Sequence, residues 1–403
     1  MIPREITSRL VSLFEQYPIV TVTGPRQAGK TTLCRSTFPE LGYTNLEDHD
    51  VREFAEMDPR SFLAQFPDGA VLDEIQHVPR LLSFLQALVD EDPRNGRFVL
   101  TGSEQFGLTN TISQSLAGRT ALLRLLPFTL AERAQTAAPE GVDDILYSGC
   151  YPRIHDQGLD PKQALADYLV TYVERDAIRI GGIRAVAAFR RFIRLCAGRV
   201  GQLLNLERLG SDAGVSHSTA RSWLEVLSVS DIVFRLEPHY TNLRKRIVKS
   251  PKLYFVDVGL AAHLIGIRSV GQLATHPLRG QLFENAVIVE ALKHSLNHGL
   301  YADLSFFRTG DGLECDLLYP TPAGLAAIEI KSGATVTGAW FNRLNRIRQT
   351  LPEVSSTALV YGGSDHQNRA AGQVIPLTRF AEFLSTLDAQ LPNLPPDSLD
   401  NIS

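Results

Sequence analysis

Residues 24 to 31 read Gly24-Pro25-Arg26-Gln27-Ala28-Gly29-Lys30-Thr31, a complete GxxxxGK[ST] loop. It lies between the apolar run Ile19-Val20-Thr21-Val22-Thr23 and the helix-compatible stretch Thr32-Leu33-Cys34-Arg35. Strand, glycine loop and helix in that order make the phosphate-cradling turn of P-loop folds. Glycines let backbone N–H groups turn inward around phosphates, and the following helix presents its positive N-terminal end to them. Lys30 is placed to hold the outer phosphates and Thr31 to offer a hydroxyl to Mg²⁺. Gly24 through Thr32 are thus expected to bind ATP, with Mg²⁺ as its companion ion. Taken alone, the loop also fits a Gly-rich strand-to-helix turn with no ligand.

The chain has 403 residues, 44% hydrophobic and 21% charged, which suits an ordinary globular protein of two or three domains. A net charge of −4 excludes a globally basic nucleic-acid binder, although a local basic patch can still carry such binding. Cys34, Cys150, Cys196 and Cys315 are far apart and form no CxxC pair. That argues against a zinc site or a disulfide framework and fits a reducing cytoplasm. The N-terminus MIPREITSRLVSLFEQYP is broken by charge every few positions, and no stretch approaches about 18 apolar residues. Neither a signal peptide nor a membrane span is expected.

The segment Gly69-Ala70-Val71-Leu72-Asp73-Glu74-Ile75-Gln76 reads as a short strand delivering two carboxylates at its C-terminal end, where ligands of open α/β sheets bind. Asp73 suits the Walker B role of holding Mg²⁺ through water, and Glu74 suits orientation of the attacking water. A third strand, Arg97-Phe98-Val99-Leu100, ends in Thr101-Gly102-Ser103, so that Thr101 and Ser103 stand at a sensor position between the two nucleotide motifs. An ordinary strand-end turn is the alternative there. Arg119, ahead of the strand-like Ala121 to Leu125, has two readings: contact with a γ-phosphate across a subunit boundary, or pairing with a surface carboxylate.

The runs GPRQAGKTTL, NLEDHDVREFAEMDPRSFL (45–63), LDEIQHVP, LTGSEQF, SLAGR, LPFTLAE, YPR and YLVTYVERD (168–176) together resemble the AAA-type ATPases of the AAA_14/DUF4143 family. The resemblance covers nearly the whole chain. One departure is Gly149-Cys150-Tyr151-Pro152, where the family usually has two glycines before the aromatic-Pro pair. The resemblance implies an ATPase core ending near residue 160 and a homo-oligomer, a hexameric ring being one form, in which Arg119, Arg153 or Arg175 acts in trans.

From about residue 165 the pattern becomes helical, with apolar residues three and four apart in Tyr168–Tyr172 and Phe189–Leu195. Leu206 to Leu224 reads as helix, Gly-containing turn and a second helix capped by Ser216, a helix-turn-helix. His217, Thr219 and Arg221 fall in the first turns of the second helix, where a recognition helix reaches bases and phosphates. Two strands, Ile232–Leu236 and Leu253–Val256, then flank a stretch with Arg244, Lys245, Arg246, Lys249 and Lys252. Helix-turn-helix plus hairpin makes a winged helix, whose basic tip suggests phosphate contacts. Winged helices also dock proteins, and a basic loop is often merely solvated.

The last segment reads as a helix over Phe283–Glu290 and strands over Leu304–Arg308, Leu313–Leu318 and Ala326–Lys331. This α, β, β, β order with Glu284, Asp316, Glu329 and Lys331 is similar to the PD-(D/E)xK nuclease fold. Glu329 and Lys331, two apart in a strand, share a face while Ile328 and Ile330 point to the core. Asp316 and Glu329, with Glu284 as accessory, would form a Mg²⁺ or Mn²⁺ site, and Lys331 would orient water. Carboxylates converging on one pocket require cations or protons as compensation.

The expected architecture is α/β: a P-loop AAA-type ATPase core over 1–164, a helical winged-helix domain over 165–272, a nuclease-like α/β domain over 273–385 and a disordered tail over 386–403. The expected function is Mg-dependent ATP hydrolysis coupled to DNA binding and remodelling or processing, with metal-dependent cleavage of DNA a further reading. A nucleotide-gated or toxin-like regulator of a protein partner, with a non-catalytic nuclease-like domain, is the alternative.

Overall fold

The computed structural model describes residues 2–102, 116–136, 139–174, 178, 181–239, 248–300, 303–370 and 372–389. The apolar run ahead of the glycine loop forms β1 (Ile19–Thr23), buried along its whole length. It is followed by β2 (Gly42–Asn45), β3 (Ala70–Asp73), β4 (Phe98–Gly102) and β5 (Thr120–Arg124). These pair in parallel in the order β2-β3-β4-β1-β5. Alternation along each strand fills both faces of the sheet. Ile19, Leu72, Phe98 and Leu100 pack with Phe62, Leu81 and Leu85 on one side, and Val20, Val22, Val71 and Val99 pack with Ile6, Leu10 and Leu33 on the other. A sheet covered on both faces needs apolar side chains at nearly every position, which is why the strands read as continuous runs.

Past β5, helix Leu206–Ala213, a turn at Gly214 (φ 75°) and helix His217–Val229 form the expected helix pair. Ser216 Oγ caps the second helix by accepting from Thr219 N at 3.1 Å. Trp223 on its inner face meets Phe189 and Phe192 edge-on, each at 5.5 Å. The hairpin follows as β6 (Val233–Pro238) and β7 (Lys252–Phe255), antiparallel.

Next come β8 (Ser305–Arg308), β9 (Glu314–Thr321), β10 (Gly324–Lys331), β11 (Val354–Tyr361), β12 (Gln367–Arg369) and β13 (Gly372–Pro376). Here β6 does not stop at its hairpin. It continues alongside β8 through Glu237↔Ser305 and Pro238↔Phe306, giving one sheet in the order β12-β13-β11-β10-β9-β8-β6-β7. A single apolar core likewise runs from Leu126 through Tyr151, Trp223, Phe255 and Phe283 to Leu387. Neither sheet nor core breaks at residue 272, which lies inside the short 3-10 helix Val270–Thr275. Residues 386–388, expected in the tail, belong to the helix Phe380–Asp388, whose apolar face reaches the buried Leu387. Residues 390–403 lie outside the described residues.

Helix Arg279–His298 joins the two halves, and its burial is nearly all-round. Glu290 Oε1 accepts from Leu130 N at 2.9 Å, and Lys293 Nζ donates to Phe128 O at 2.6 Å. Burial raises the Glu290 carboxyl to about 7, with Lys293 only partly offsetting it. The folded chain thus keeps this proton over a pH range where the unfolded chain, with an ordinary value near 4.5, has lost it. Stability from this group is full below that ordinary value and is lost as pH rises through about 7. Glu290→Gln is expected to remove this slope, at most about 1.4 kcal/mol per pH unit. Urea midpoints of both proteins across this range check it, and parallel pH profiles would contradict it.

Candidate nucleotide-binding site

The glycine loop leaves β1 by a close approach that dictates its first residue. A side chain at Gly24 (φ 143°) would stand 2.0 Å from Leu125 O. Gln27 (φ 60°) and Gly29 (φ 92°) also take positive φ, wrapping the loop around the N-terminus of helix Lys30–Thr37. Arg4 braces the loop from outside, its Nη1 donating to Ala28 O at 2.7 Å and its Nη2 to Leu126 O at 2.7 Å. Sequence reading passed over Arg4, since one arginine near the N-terminus carries no local signal.

Lys30 is buried, with Nζ donating to Gly24 O at 2.9 Å and Pro25 O at 3.0 Å. Burial pushes its ammonium below the ordinary lysine value, opposed by the charges of Glu74, Asp231 and Asp73. Because β4 lies between β1 and β3, Thr101 near its end comes beside Asp73 at the end of β3. Thr101 Oγ1 donates to Asp73 Oδ1, and Glu74 N donates to Thr101 Oγ1 at 3.2 Å. Thr31 Oγ1 donates to both Asp73 oxygens, at 3.0 and 2.9 Å, and Tyr43 OH donates to Asp73 Oδ2 at 3.0 Å. Glu74 has a left-handed backbone (φ 56°), and its carboxylate accepts from Gln76 Nε2. The oxygen donors Thr31 and Asp73, converging beside a phosphate loop, fit Mg²⁺.

Thr32 is exposed in the first turn of the helix, and Ser103 lies outside the described residues. Arg119 follows the second of its two readings within the chain: its Nε and Nη2 donate to Asp90 at 2.6 and 2.9 Å on the surface. Arg153 is exposed on helix Pro152–Asp156, and Arg175 lies outside the described residues. Gly149 (φ 65°) is needed because a side chain there would strike Asp257, whose carboxylate accepts from Cys150 N at 2.6 Å. Cys150, where the resembled family has glycine, simply fills the core. A cleft of about 510 Å³ opens beside the loop, lined by Gln27, Arg153, Asp160, Gln163, Asp167 and Tyr168.

On the helix pair, His217 and Arg221 are exposed, whereas Thr219 is half-buried with its hydroxyl 2.8 Å from Ser216 Oγ, inside the cap. Lys249 is exposed, and Arg244, Lys245 and Arg246 lie outside the described residues. Lys252 departs from the basic-tip reading. It is only 3% exposed, and its Nζ reaches Glu284 at 2.9 Å and Glu314 at 2.8 Å. The β7 register turns it toward the sheet instead of solvent.

That lysine also alters the second carboxylate constellation. Glu284 accepts from Lys252 and from Tyr254 OH at 2.5 Å. The β9–β10 ladder ends at Ile328↔Leu317, and Asp316 Oδ2 then accepts from Ile330 N at 2.8 Å. Glu329 and Lys331 share a face as expected, at 2.5 Å, and Arg343 Nη1 adds a contact to Glu329 at 2.7 Å. Burial, with the charge of Asp316, raises the Glu329 carboxyl to about 7. Lys252, Lys331 and Arg343 pair with Glu284 and Glu329 and offset part of this carboxylate charge. Among the described residues no group of three His, Cys, Asp or Glu side chains is arranged to hold a metal.

A parallel sheet ending in a glycine loop, with a carboxylate behind its Lys-Thr pair, defines a P-loop ATPase, here of the AAA type. The AAA domain family matches residues 16–134, and two domains of unknown function, DUF8612 and DUF4143, match 139–270 and 279–380. Uncharacterized proteins of Mycobacterium bovis and Mycobacterium tuberculosis are each 31% identical over 365 residues, 89% of this chain and 80% of theirs. The chain belongs to the family of these two proteins. Among solved structures, a Walker-type ATPase of Pyrococcus abyssi aligns with 66% of this chain and 96% of its own at 16% identity and TM-score 0.42. A signal-transduction ATPase with a tetratricopeptide repeat sensor from Pyrococcus horikoshii aligns with 74% of this chain and 50% of its own at 12% identity and TM-score 0.23. No helix among the described residues is long and apolar enough to cross a membrane.

Proposed function

We propose that this chain is a Mg-dependent ATP hydrolase that couples its nucleotide state to binding of duplex DNA, acting as a homo-oligomer. The observation that carries the reading is the meeting of Thr31, Asp73 and Thr101 beside the buried Lys30. Lys30 and the loop amides would hold the phosphates, and Thr31 and Asp73 would hold Mg²⁺, which when bound neutralises charge on the transferring phosphoryl group. Glu74, one residue past Asp73 at the strand end, would orient water and accept its proton. The cleft beside Gln27 has the volume of a small-molecule site, about 300–1,000 Å³, and would take the rest of the nucleotide.

For DNA, the support is the exposure of His217 and Arg221 at the start of a capped second helix and of Lys249 at the hairpin. The C-terminal sheet is assigned a binding role without cleavage, because lysines and an arginine already neutralise its carboxylates. Capture of a protein partner is a second reading, favoured by the burial of Lys252 and the capping role of Thr219, which reduce the surface offered to phosphates.

Fluorescence anisotropy with a labelled duplex, across a range of salt, tests the DNA reading. Binding should weaken steeply as salt rises, and Arg221→Ala with Lys249→Ala should cost about three- to tenfold while flattening the salt slope. Equal binding by variant and parent would transfer the helix pair to a protein partner.

A further inference from the structure

Asp231 follows helix His217–Val229 and lies 1% exposed, in a left-handed conformation (φ 53°). That turn is fixed by two backbone bonds, Asp231 N to Ser228 O at 3.2 Å and Ile232 N to Leu227 O at 2.9 Å. It aims the carboxylate out of the helix pair and onto the other sheet. There Asp231 Oδ1 accepts from Arg124 Nε at 3.0 Å and from Arg124 Nη2. Arg124 is the last residue of β5 and is paired in register with Thr23, the residue before Gly24. The contact therefore lands at the root of the phosphate loop. Burial raises the Asp231 carboxyl, and the charges of Arg124 and Lys30 oppose that shift and favour the anion; in return Asp231, with Glu74 and Asp73, supports the Lys30 ammonium, whereas Arg26 opposes it.

A buried carboxylate is costly to place, and it opposes binding of any further anion at the same lysine. We propose that Asp231 is an internal anion that sets nucleotide affinity, competing through Lys30 and Arg124 with the phosphates of ATP and ADP. This inference rests on the phosphate-binding reading of residues 24–31. Because Asp231 is carried by the end of the helix pair, a ligand that shifts that pair moves the charge away from the loop and tightens nucleotide binding. By linkage, nucleotide loosens the contact between Asp231 and Arg124 to the same degree.

The test is calorimetric titration of the full chain and of Asp231→Asn with Mg·ATP and with Mg·ADP. Asparagine keeps the shape and tolerates the left-handed backbone, so removal of the charge should tighten binding about tenfold, within the range of coupling between sites. A residue that only supports the fold would weaken binding on replacement, so tightening is a signature that a structural role does not produce. Equal or weaker binding by the variant overturns the inference alone, whereas no binding by either protein removes the phosphate-site reading and this inference with it. Amide exchange in the unaltered chain gives a second check that needs no variant. Exchange over residues 229–232 should quicken when Mg·ATP is added, and unchanged or slower exchange would overturn the proposal.

Discussion

Lys30→Ala is expected to lower steady-state ATP hydrolysis by about a hundredfold or more, the scale seen when one preorganised charge-stabilising group is removed from an active site. Lys30 is buried as the first residue of the helix that follows the loop, and its Nζ is anchored by Gly24 O and Pro25 O. Its ammonium is therefore held by loop carbonyls before any phosphate arrives. Removal also takes the principal positive charge from beside Asp73 and Glu74, so ATP affinity should fall as well. Phosphate release by both proteins, with far-ultraviolet circular dichroism to establish that the variant is folded, checks this. Hydrolysis within about threefold of the parent would place the reaction elsewhere.

Glu74→Gln separates binding from chemistry. Glu74 has a left-handed backbone, and its amide is tied to Thr101 Oγ1. Glutamine keeps the size and an oxygen for Gln76 Nε2, but it loses the basicity needed to accept a proton from water. Hydrolysis is expected to drop by about a hundredfold, in line with loss of a general base, while Mg·ATP affinity stays within about threefold. Single-turnover hydrolysis beside equilibrium titration reads both quantities. A parallel loss of affinity would make Glu74 a binding residue and leave the water without its partner.

The nucleotide half of the molecule was readable because its residues fall in short motifs, each tied to an element with a strong local pattern. The loop, the Asp73–Glu74 strand end and Thr101 each follow an apolar run of the correct length, and parallel pairing brings their ends together. The helix pair was readable for the same reason, through Gly214 and the Ser216 cap. What escaped reading depends on contacts across long sequence separations. Asp231 and Arg124 are 107 residues apart, and nothing local to either marks the pairing. Lys252 looked like one more cation in a basic stretch, and only the strand register shows it turned inward to Glu284 and Glu314. The four positions assigned to a nuclease-like site carry the expected residue types, but residue type does not reveal that lysine and arginine already neutralise them. The boundary sought near 272 was likewise invisible, because β6 pairs with β7 through a hairpin and with β8 across sixty-odd intervening residues.

The central claim is that ATP turnover at Lys30, Asp73 and Glu74 responds to what the helix pair holds. Steady-state phosphate release from Mg·ATP by the intact chain, measured while duplex DNA is titrated in, tests it most directly. The account predicts Mg-dependent hydrolysis whose rate changes severalfold as DNA saturates, with the response abolished in Lys30→Ala and Glu74→Gln. Hydrolysis that is indifferent to DNA at every concentration would contradict the coupling.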